Sequence, residues 1–288
     1  MGKFPVFQID AKNIAYYRES TLPSGAYYDI GEQLPWKAGV TYSSKITVEL
    51  KRAADQRILD NFMMLTYKTP NDYRSQVLKE ITKGLVHWLE NEIIYGYTTD
   101  VAKGITGLCE LCDTTDMEIN EASALSLDNL RDLIDRVRPR PNCLLVNRTF
   151  ARKFDRLLQE KGLTTWASFN YSADELGKRL MTFDGVPIIR SDFLSDDEDD
   201  DALGKGNSGA KTSIYAIRFG QIMEGGVCLA MGGPGGELGR VFQIKRLDNL
   251  EDYDAEGIRV VGYFNLALGS TKALGRIRNI TASGDITA

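Results

Sequence analysis

The sequence predicts a mixed α+β fold, because strand-like and helix-like apolar patterns both occur along its 288 residues. The segment KITVEL places Ile46, Val48 and Leu50 at every second position, which is the period of a half-buried strand. Residues 70–95 place apolar side chains at spacings of three and four, which is the period of an amphipathic helix. A chain of this length can bury a large core, in one domain or in two closely packed ones.

The N-terminal part of the chain predicts an extended arm followed by a long β-hairpin. Residues 1–23 have few periodic apolar positions, so they form either an arm on a neighbouring chain or a frayed terminus. Residues 24–68 predict the hairpin, with turn signals at Pro35 and Gly39. Trp36 and Lys37 then lie near its tip, where an aromatic side chain either contacts another chain or folds back on its own domain.

The clearest predicted helix covers residues 70–95. Pro70 supplies a start signal and Gly96 a C-cap. The predicted apolar stripe is Val77, Ile81, Leu85, Trp88 and Leu89. His87 lies off this stripe, which indicates a surface or packing role rather than a catalytic one.

Residues 126–161 predict a helix, a strand and a second helix. Ser126 is the N-cap of the first helix, CLLVN is a short buried strand, and the second helix ends at Gly162. Further strands are predicted at GVPIIRSDFL, TSIYAIRFG, GGVCLAM, VFQIKRL, GIRVVGYFNLALG and ALGRIRNIT.

The acidic run Asp196–Asp201 predicts a solvated, mobile surface loop, because six consecutive like charges repel one another. A calcium site is the alternative, but the alternating Asp-x-Asp-x-Asp-Gly spacing of a calcium loop is missing. The glycine-rich stretch Gly232–Gly239 lacks the Lys and Ser/Thr of a phosphate-binding loop, so a turn is the better interpretation.

Candidate catalytic or metal-binding groups are sparse. Cys109 and Cys112 form one CxxC pair, whereas a zinc ribbon needs two, and the sequence context around the pair is loop-like rather than the start of a redox helix. Four cysteines in this length do not suggest a disulfide framework. We therefore predict no catalytic, cofactor or metal site, although a Ser-Lys or carboxylate-pair mechanism stays open.

Composition narrows the class of protein. The net charge of −5 argues against a dedicated nucleic-acid binder, which would carry a basic face. This net charge is compatible with a protein that lines a container of nucleic acid without binding the nucleic acid tightly. The sequence has neither a long apolar run nor an apolar N-terminal segment, so we expect a soluble protein that is made in a cytoplasm.

Four segments, in the right order, resemble those of the tailed-phage major capsid proteins, whose fold is shared with encapsulins and the herpesvirus capsid floor. They are ENEIIYGYTTDVAKGITGL, DGVPIIRSDFL, SIYAIRFG and GYFNLALGSTKALGRIRNIT. Each motif is weak alone, but the ordered set covers residues 75–282 and is fairly specific.

The resemblance implies the capsid fold with an N-terminal arm, an extended loop, a long spine helix, a peripheral domain and an axial domain. The implied division is arm 1–23, extended loop 24–68, peripheral domain with spine helix 69–119, axial domain 120–250, peripheral return strand 251–270, and last axial strand with tail 271–288. Candidate contacts between subunits are Trp36, Lys37, Tyr42, Gly233, Gly235 and Gly236.

The function implied by this family is structural, not enzymatic. Such a subunit assembles into pentamers and hexamers of an icosahedral virion capsid in the host cytoplasm and encloses double-stranded DNA without sequence specificity. The implied partners are further copies of the chain, a separate scaffolding protein, a portal and decoration proteins, with no membrane. The short arm at Met1 departs from relatives that carry a cleaved scaffolding segment, and no motif identifies a cross-linking partner.

Three alternatives remain at this point. An encapsulin-like compartment has the same fold and a cargo enzyme in place of DNA. A CxxC metal or redox protein and a carboxylate-pair enzyme are alternatives of other classes.

Overall fold

The computed structural model describes residues 4–19, 25–36, 42–66, 73–98, 102–113, 115–161, 169–173, 179–198, 210–232, 242–248, 250–251, 253–284 and 286. The predicted boundary residues Pro70 and Gly162, and the predicted turn residue Gly39, lie outside these ranges. The described chain contains both helices and strands, which confirms the mixed α+β prediction.

Within the described ranges the chain forms fourteen strands and five α-helices. The strands are β1 (Val6–Ile9), β2 (Asn13–Glu19), β3 (Tyr42–Glu49), β4 (Lys51–Asp60), β5 (Glu118–Asn120), β6 (Cys143–Asn147), β7 (Phe169–Ala173), β8 (Arg179–Phe183), β9 (Val186–Ser191), β10 (Lys211–Ile217), β11 (Val227–Gly232), β12 (Gln243–Leu247), β13 (Ala255–Leu268) and β14 (Leu274–Thr281). The helices are α1 (Asn61–Thr66), α2 (Tyr73–Tyr95), α3 (Leu108–Cys112), α4 (Leu127–Arg136) and α5 (Arg148–Lys161).

A five-stranded sheet is built around β13. This strand pairs antiparallel with all ten residues of β4 along one edge, and with β12 and then β11 along the other edge. The short strand β1 adds to β11 in parallel. The helix α2 packs on this sheet through a cluster that contains Leu59, Ile81, Leu85, Ile258 and Val260. The long helix is therefore held by strands from both ends of the sequence.

The buried face of α2 differs in one position from the predicted stripe. Ile81, Leu85 and Leu89 are buried as predicted, but Trp88 is 44% exposed. At about 3.6 residues per turn, residue 88 lies about 60° around the helix from Leu85, at the edge of the stripe rather than at its centre. The assignment of Trp88 to the buried stripe was therefore wrong, and its indole lies on the outer side of the helix.

A seven-stranded sheet forms the rest of the core, with the strand order β5-β14-β10-β6-β9-β8-β7. Side chains alternate between its two faces. Ile214 and Ala216 face the cluster that contains residues of α4 and α5, whereas Tyr215 and Ile217 face the cluster that contains residues of α2 and α3. The predicted cap is confirmed, because the Ser126 hydroxyl accepts a hydrogen bond from the Asp128 amide at 3.2 Å.

The connection between α2 and α3 requires two glycines. The Gly107 amide donates to the Gly96 carbonyl at 2.8 Å. A Cβ on Gly107 would lie 2.5 Å from the Gly96 nitrogen, and a Cβ on Gly96 would lie 2.5 Å from the Glu92 and Ile105 carbonyl oxygens. Such distances are far inside van der Waals contact, so the backbone can pass only where side chains are absent. This packing explains two of the three glycines of the segment YGYTTDVAKGITG, Gly96 and Gly107.

The N-terminal prediction needs two corrections. Much of the predicted arm is strand structure on its own chain, since β1 pairs with β11 and the Tyr16 hydroxyl donates to the Leu268 carbonyl at 2.7 Å. The hairpin is also displaced, because β3 pairs with β2, which lies inside the predicted arm. Residues 25–36 form neither strand nor helix. The sequence showed the alternation of β3 but held no sign of its partner.

One buried guanidinium connects the seven-stranded sheet to the end of α2. Arg276 on β14 is 3% exposed and lies 3.4 Å from a carboxylate oxygen of Glu198 and 3.4 Å from one of Glu118. It also donates to the Ser213 hydroxyl on β10 at 3.1 Å. The Tyr95 hydroxyl, at the end of α2, donates to Glu198 at 2.6 Å and accepts from the Ser195 amide at 2.7 Å.

This cluster corrects the prediction for the acidic run. Glu198 is 2% exposed and its amide donates to the Lys211 carbonyl at 2.9 Å, so it is a core residue rather than part of a solvated loop. Asp196 and Asp197 are exposed as predicted, and residues 199–201 lie outside the described ranges. Burial of a carboxylate is tolerated here because Arg276, Ser213 and Tyr95 all bind it.

Replacing Leu89 by Ala should destabilise the unassembled chain by about 2–5 kcal/mol, because a fully buried side chain leaves a cavity. Trp88→Ala, one residue away, should cost about 1 kcal/mol or less, because much of its surface is already in water. Urea unfolding followed by circular dichroism measures both. Equal losses for the two variants would contradict the assignment of the buried face.

Replacing Arg276 by Met should destabilise the chain by about 3–5 kcal/mol, because Glu198 and Glu118 then lose their shared cation inside the protein. The matched control is Arg148→Ala. Arg148 lies 3.3 Å from Asp192, and both side chains are about two-thirds exposed, so this loss should stay under about 1 kcal/mol. The same unfolding measurement applies, and a small effect for Arg276→Met would show that the cluster is not a structural anchor.

Candidate assembly surface

The predicted contact residues are only partly described. Trp36 is fully exposed at the end of the segment 25–36, and Tyr42 begins β3. Lys37, Gly233, Gly235 and Gly236 lie outside the described residues. Trp36 and Tyr42 thus belong to the same connection between β2 and β3, and their contacts with other subunits stay a prediction.

The segment 25–36 is held by local hydrogen bonds at a single turn. The Glu32 amide donates to the Asp29 carbonyl at 3.1 Å, and the Asp29 amide donates to the Glu32 carboxylate at 3.0 Å. Gly31 has φ +93°, a left-handed conformation that glycine adopts without strain. The turn gives the segment a defined bend, and all twelve of its residues are exposed.

The same segment exposes unusually large apolar side chains. Tyr27, Ile30 and Trp36 are as exposed as in an extended chain, and Leu34 is 65% exposed. Removing apolar surface from water is worth about 25 cal/mol per Å², so these side chains favour contact with another surface. Sequence reasoning selected Trp36 and missed the other three. The available signal was several large apolar residues in a stretch without helix or strand periodicity.

A second exposed apolar surface lies at the end of β4. The helix α1 buries none of its residues, and it exposes Phe62, Met63 and Leu65. Ile58, on the outer side of β4, is also exposed. The Asp60 carboxylate accepts from the Phe62 amide at 2.7 Å and so fixes the start of this helix. Grouped exposed apolar residues of this kind mark interaction sites more often than scattered ones do.

The CxxC pair is part of the core. Its residues form α3 rather than the predicted loop, and both thiols are completely buried. Arg276 donates to the Cys109 sulfur at 3.1 Å. Burial raises the pKa of the Cys109 thiol to about 11 and raises that of Cys112 further. Both thiols are therefore protonated at neutral pH and lack the thiolate that metal binding and redox exchange require.

The remaining polar candidates do not converge on a site. His87 is exposed, and its ring packs edge-on against Phe193 at 5.5 Å between centroids. No group of three or more metal-ligating side chains occurs in the part of the chain that the structure describes. Among the helices of that same part, none combines the length and apolar character that crossing a bilayer requires.

Comparisons with known proteins identify the fold. No protein-family model matches the chain, and no curated protein matches it. Among solved structures, the chain is similar to the holo-SrpI encapsulin complex from Synechococcus elongatus PCC 7942, with a TM-score of 0.75 and 18% identity over 100% of this chain and 89% of that one. The capsid of the native GTA particle is similar with a TM-score of 0.65 and 11% identity over 97% and 89%.

A structure of Mycobacterium phage Adephagia is also similar, with a TM-score of 0.62 and 12% identity over 96% of this chain and 88% of that one. These matches cover nearly the whole chain in each direction. The chain therefore has the capsid fold that phage capsid structures and an encapsulin share, as the four ordered sequence segments predicted.

In the native protein, all four cysteines should resist thiol reagents at pH 8, because they are buried. The raised pKa of about 11 for Cys109 and for Cys228 means that thiolate forms only well above this pH. Colorimetric titration with a thiol reagent measures this, and four thiols should appear after denaturation, which serves as the control. Fast reaction of two thiols in the folded chain would restore the redox alternative.

Proposed function

We propose that this chain is the structural subunit of a closed icosahedral shell, which self-assembles through pentamers and hexamers and has no enzymatic role. The observation that carries the proposal is the similarity over nearly the full length to an encapsulin and to phage capsid structures. In this function, the strand pair β2–β3 with its connection would form the extended loop, and 69–119 with 251–270 the peripheral domain. Residues 120–250 and 271–288 would form the axial domain.

The exposed apolar surfaces support this function physically. A shell subunit needs contacts that symmetry repeats, each one modest in area. The segment 25–36 and the helix α1 both present apolar side chains that their own chain does not cover. In the shell, Trp36, Lys37 and Tyr42 would contact a neighbour, and Gly233, Gly235 and Gly236 would lie where several axial domains meet.

Two kinds of content are compatible with the fold. The ordered segments that resemble tailed-phage major capsid proteins favour double-stranded DNA, held without sequence specificity. In that case a scaffolding protein, a portal and decoration proteins would be partners, and the chain would be part of a virion assembled in the host cytoplasm. The TM-score of 0.75 with the SrpI encapsulin, against 0.65 with the GTA capsid, favours an encapsulin-like compartment with a protein cargo.

The purified chain should form closed or partial shells, or capsomers, under some condition of salt and concentration. Electron microscopy and sedimentation velocity measure this. The double variant Ile30→Ser/Trp36→Ser should lose assembly while it keeps the circular dichroism spectrum of the parent, because it removes apolar contact area that is exposed in the single chain. Gln33→Ala, in the same segment, is the control and should assemble normally.

A chain that stays monomeric under every condition, alone and with proteins encoded beside it, would refute the shell function. If shells form, the material inside them is identified in shells purified from the native source. Nuclease-protected double-stranded DNA supports the phage capsid, whereas a stoichiometric protein cargo without DNA supports the compartment.

A further inference from the structure

The five-stranded sheet has one face that its own chain covers only in part. Ile258 and Val260 on β13 pack in one cluster with α2. Because side chains alternate along a strand, Arg259 and its next-but-one neighbours lie on the opposite face. Ala267, on that same opposite face, is buried in a cluster with Ile9 of β1. Arg259 is exposed, so the face is covered at the β1 end and open at the other end.

The open end of this face carries positive charge. Residues directly opposite each other in an antiparallel pair share one face, so Lys245 of β12 and Gln56 of β4 lie on either side of Arg259. Further along the strands, Arg52 of β4 is opposite Tyr263. We call this surface the basic sheet face, and its polar members are Arg52, Gln56, Gln243, Lys245, Arg259 and Tyr263.

No acidic side chain balances these cations. The ion pairs in the described part of the chain include neither Arg52 nor Lys245 nor Arg259. The paired positions of the face between Gly257 and Tyr263 hold no Asp or Glu. Asp60, at the end of β4, is about 13 Å from Arg259 along the strands, and its carboxylate caps α1. A chain with a net charge of −5 therefore concentrates positive charge on this face.

The pairing of Lys245 with Arg259 is unfavourable as it stands. The two residues are directly opposite each other on neighbouring strands, and like charges in this arrangement destabilise a sheet. The Arg259 Nε donates to the Gln56 side-chain carbonyl at 3.1 Å, but an amide carries no charge to offset the guanidinium. Both cationic side chains are exposed. An anion that binds between them removes the repulsion and stabilises the sheet.

The other side chains of the face indicate the kind of anion. Arg, Lys, Gln and Tyr all donate hydrogen bonds to phosphate oxygens, and protein contacts with nucleic-acid backbones use these residue types. Arg52 lies about 13 Å from Arg259 along the strands. Duplex DNA carries one charge per about 1.7 Å of its axis, so a duplex of that length presents several phosphates to the three cations. An extended polyanion thus matches the face better than a small ion does.

We propose that the basic sheet face binds the phosphodiester backbone of the nucleic acid that the shell encloses. This contact depends on the DNA-containing form of the proposed shell, and in it the basic sheet face lines the interior. Lys245 and Arg259 bind neighbouring phosphate oxygens, and Arg52 binds a phosphate further along the strand. The contact reads no base edge, so it has no sequence preference. Each copy holds the nucleic acid weakly, and the repeated copies add up to firm retention.

Binding by the purified full-length chain tests the face directly. The probe is a short fluorescent DNA duplex of random sequence, and its anisotropy is measured at several salt concentrations. Three phosphate contacts predict a slope of about −2.7 for log K against log salt. Arg52→Gln/Lys245→Gln/Arg259→Gln should bring the slope close to zero and weaken binding at low salt about tenfold or more. A parent chain that does not bind the duplex at low salt would overturn the proposal.

A matched control removes the same charge elsewhere. Lys79→Gln/Lys83→Gln/Arg148→Gln neutralises three exposed cations on α2 and α5. This variant should keep the slope of the parent and its affinity to within about twofold. Equal losses for the two triple variants would show that only the net charge of the chain matters, and the assignment to the sheet face would be wrong.

The single variant Lys245→Gln separates binding from folding. It removes one of two like charges that lie opposite each other, so the chain should unfold at the same or a higher temperature than the parent. The same variant should bind the duplex more weakly. Thermal unfolding followed by circular dichroism and the anisotropy titration measure the two effects. A lower unfolding temperature would contradict the unbalanced pair on which the proposal rests.

Competition identifies the class of polyanion. Polyglutamate and unlabelled duplex are each added to the complex of the parent chain with the labelled duplex. The duplex should displace the probe at the lower concentration of negative charge, because phosphate matches the donors of the face. Displacement by polyglutamate at the lower concentration would overturn the proposal in favour of an acidic protein segment.

Assembled shells separate this contact from the shell function. Shells of Arg52→Gln/Lys245→Gln/Arg259→Gln should form at the parent level and retain several-fold less nuclease-protected nucleic acid. Parent shells that hold a protein cargo and no nucleic acid would refute this contact and leave the shell function standing. Absence of shells, together with salt-dependent binding by the free chain that the triple variant loses, would refute the shell function and support the binding face.

Discussion

The buried guanidinium of Arg276 is the interaction on which the arrangement of the chain depends. It lies on the last strand and reaches Glu198, Glu118 and Ser213, while Glu198 also binds the hydroxyl at the end of α2. In a low-dielectric interior such a network is stabilising only when every member is bound, so its parts form together. The burial and neighbouring charge that raise the pKa of Tyr95 keep its hydroxyl protonated as a donor. The end of α2 is thereby fixed to the seven-stranded sheet.

The fixed position of α2 also fixes the exposed surface at α1, because β4, which leads into α1, packs against α2. In the sequence, the segment 25–36 precedes β3 and the helix α1 follows β4. Apolar side chains in the core hold these elements, while the exposed apolar side chains would contact other copies in the proposed shell. A subunit that contacts identical neighbours at fixed angles needs a rigid interior and, separate from it, exposed apolar surfaces for those contacts.

Periodic elements could be predicted from sequence, and side chains with distant partners could not. The helix α2, the cap at Ser126 and the strand β6 each follow from a local pattern. Glu198 has the same local composition as its acidic neighbours, and partners distant in sequence, among them Arg276 78 residues later, make it a core residue. The partner of β3 was likewise hidden, because pairing depends on contacts across a loop.

The pairing of β4 with β13 also sets a time order for synthesis. The paired residues Asp60 and Ala255 are about 195 positions apart, so β4 leaves the ribosome long before its only described sheet neighbour. At about 5–20 residues per second the delay is about 10–40 s. During that interval the five-stranded sheet cannot form, and α2 lacks the surface on which it packs. In the proposed shell, nascent chains would therefore gain the fully folded surfaces that join copies only when synthesis is nearly complete.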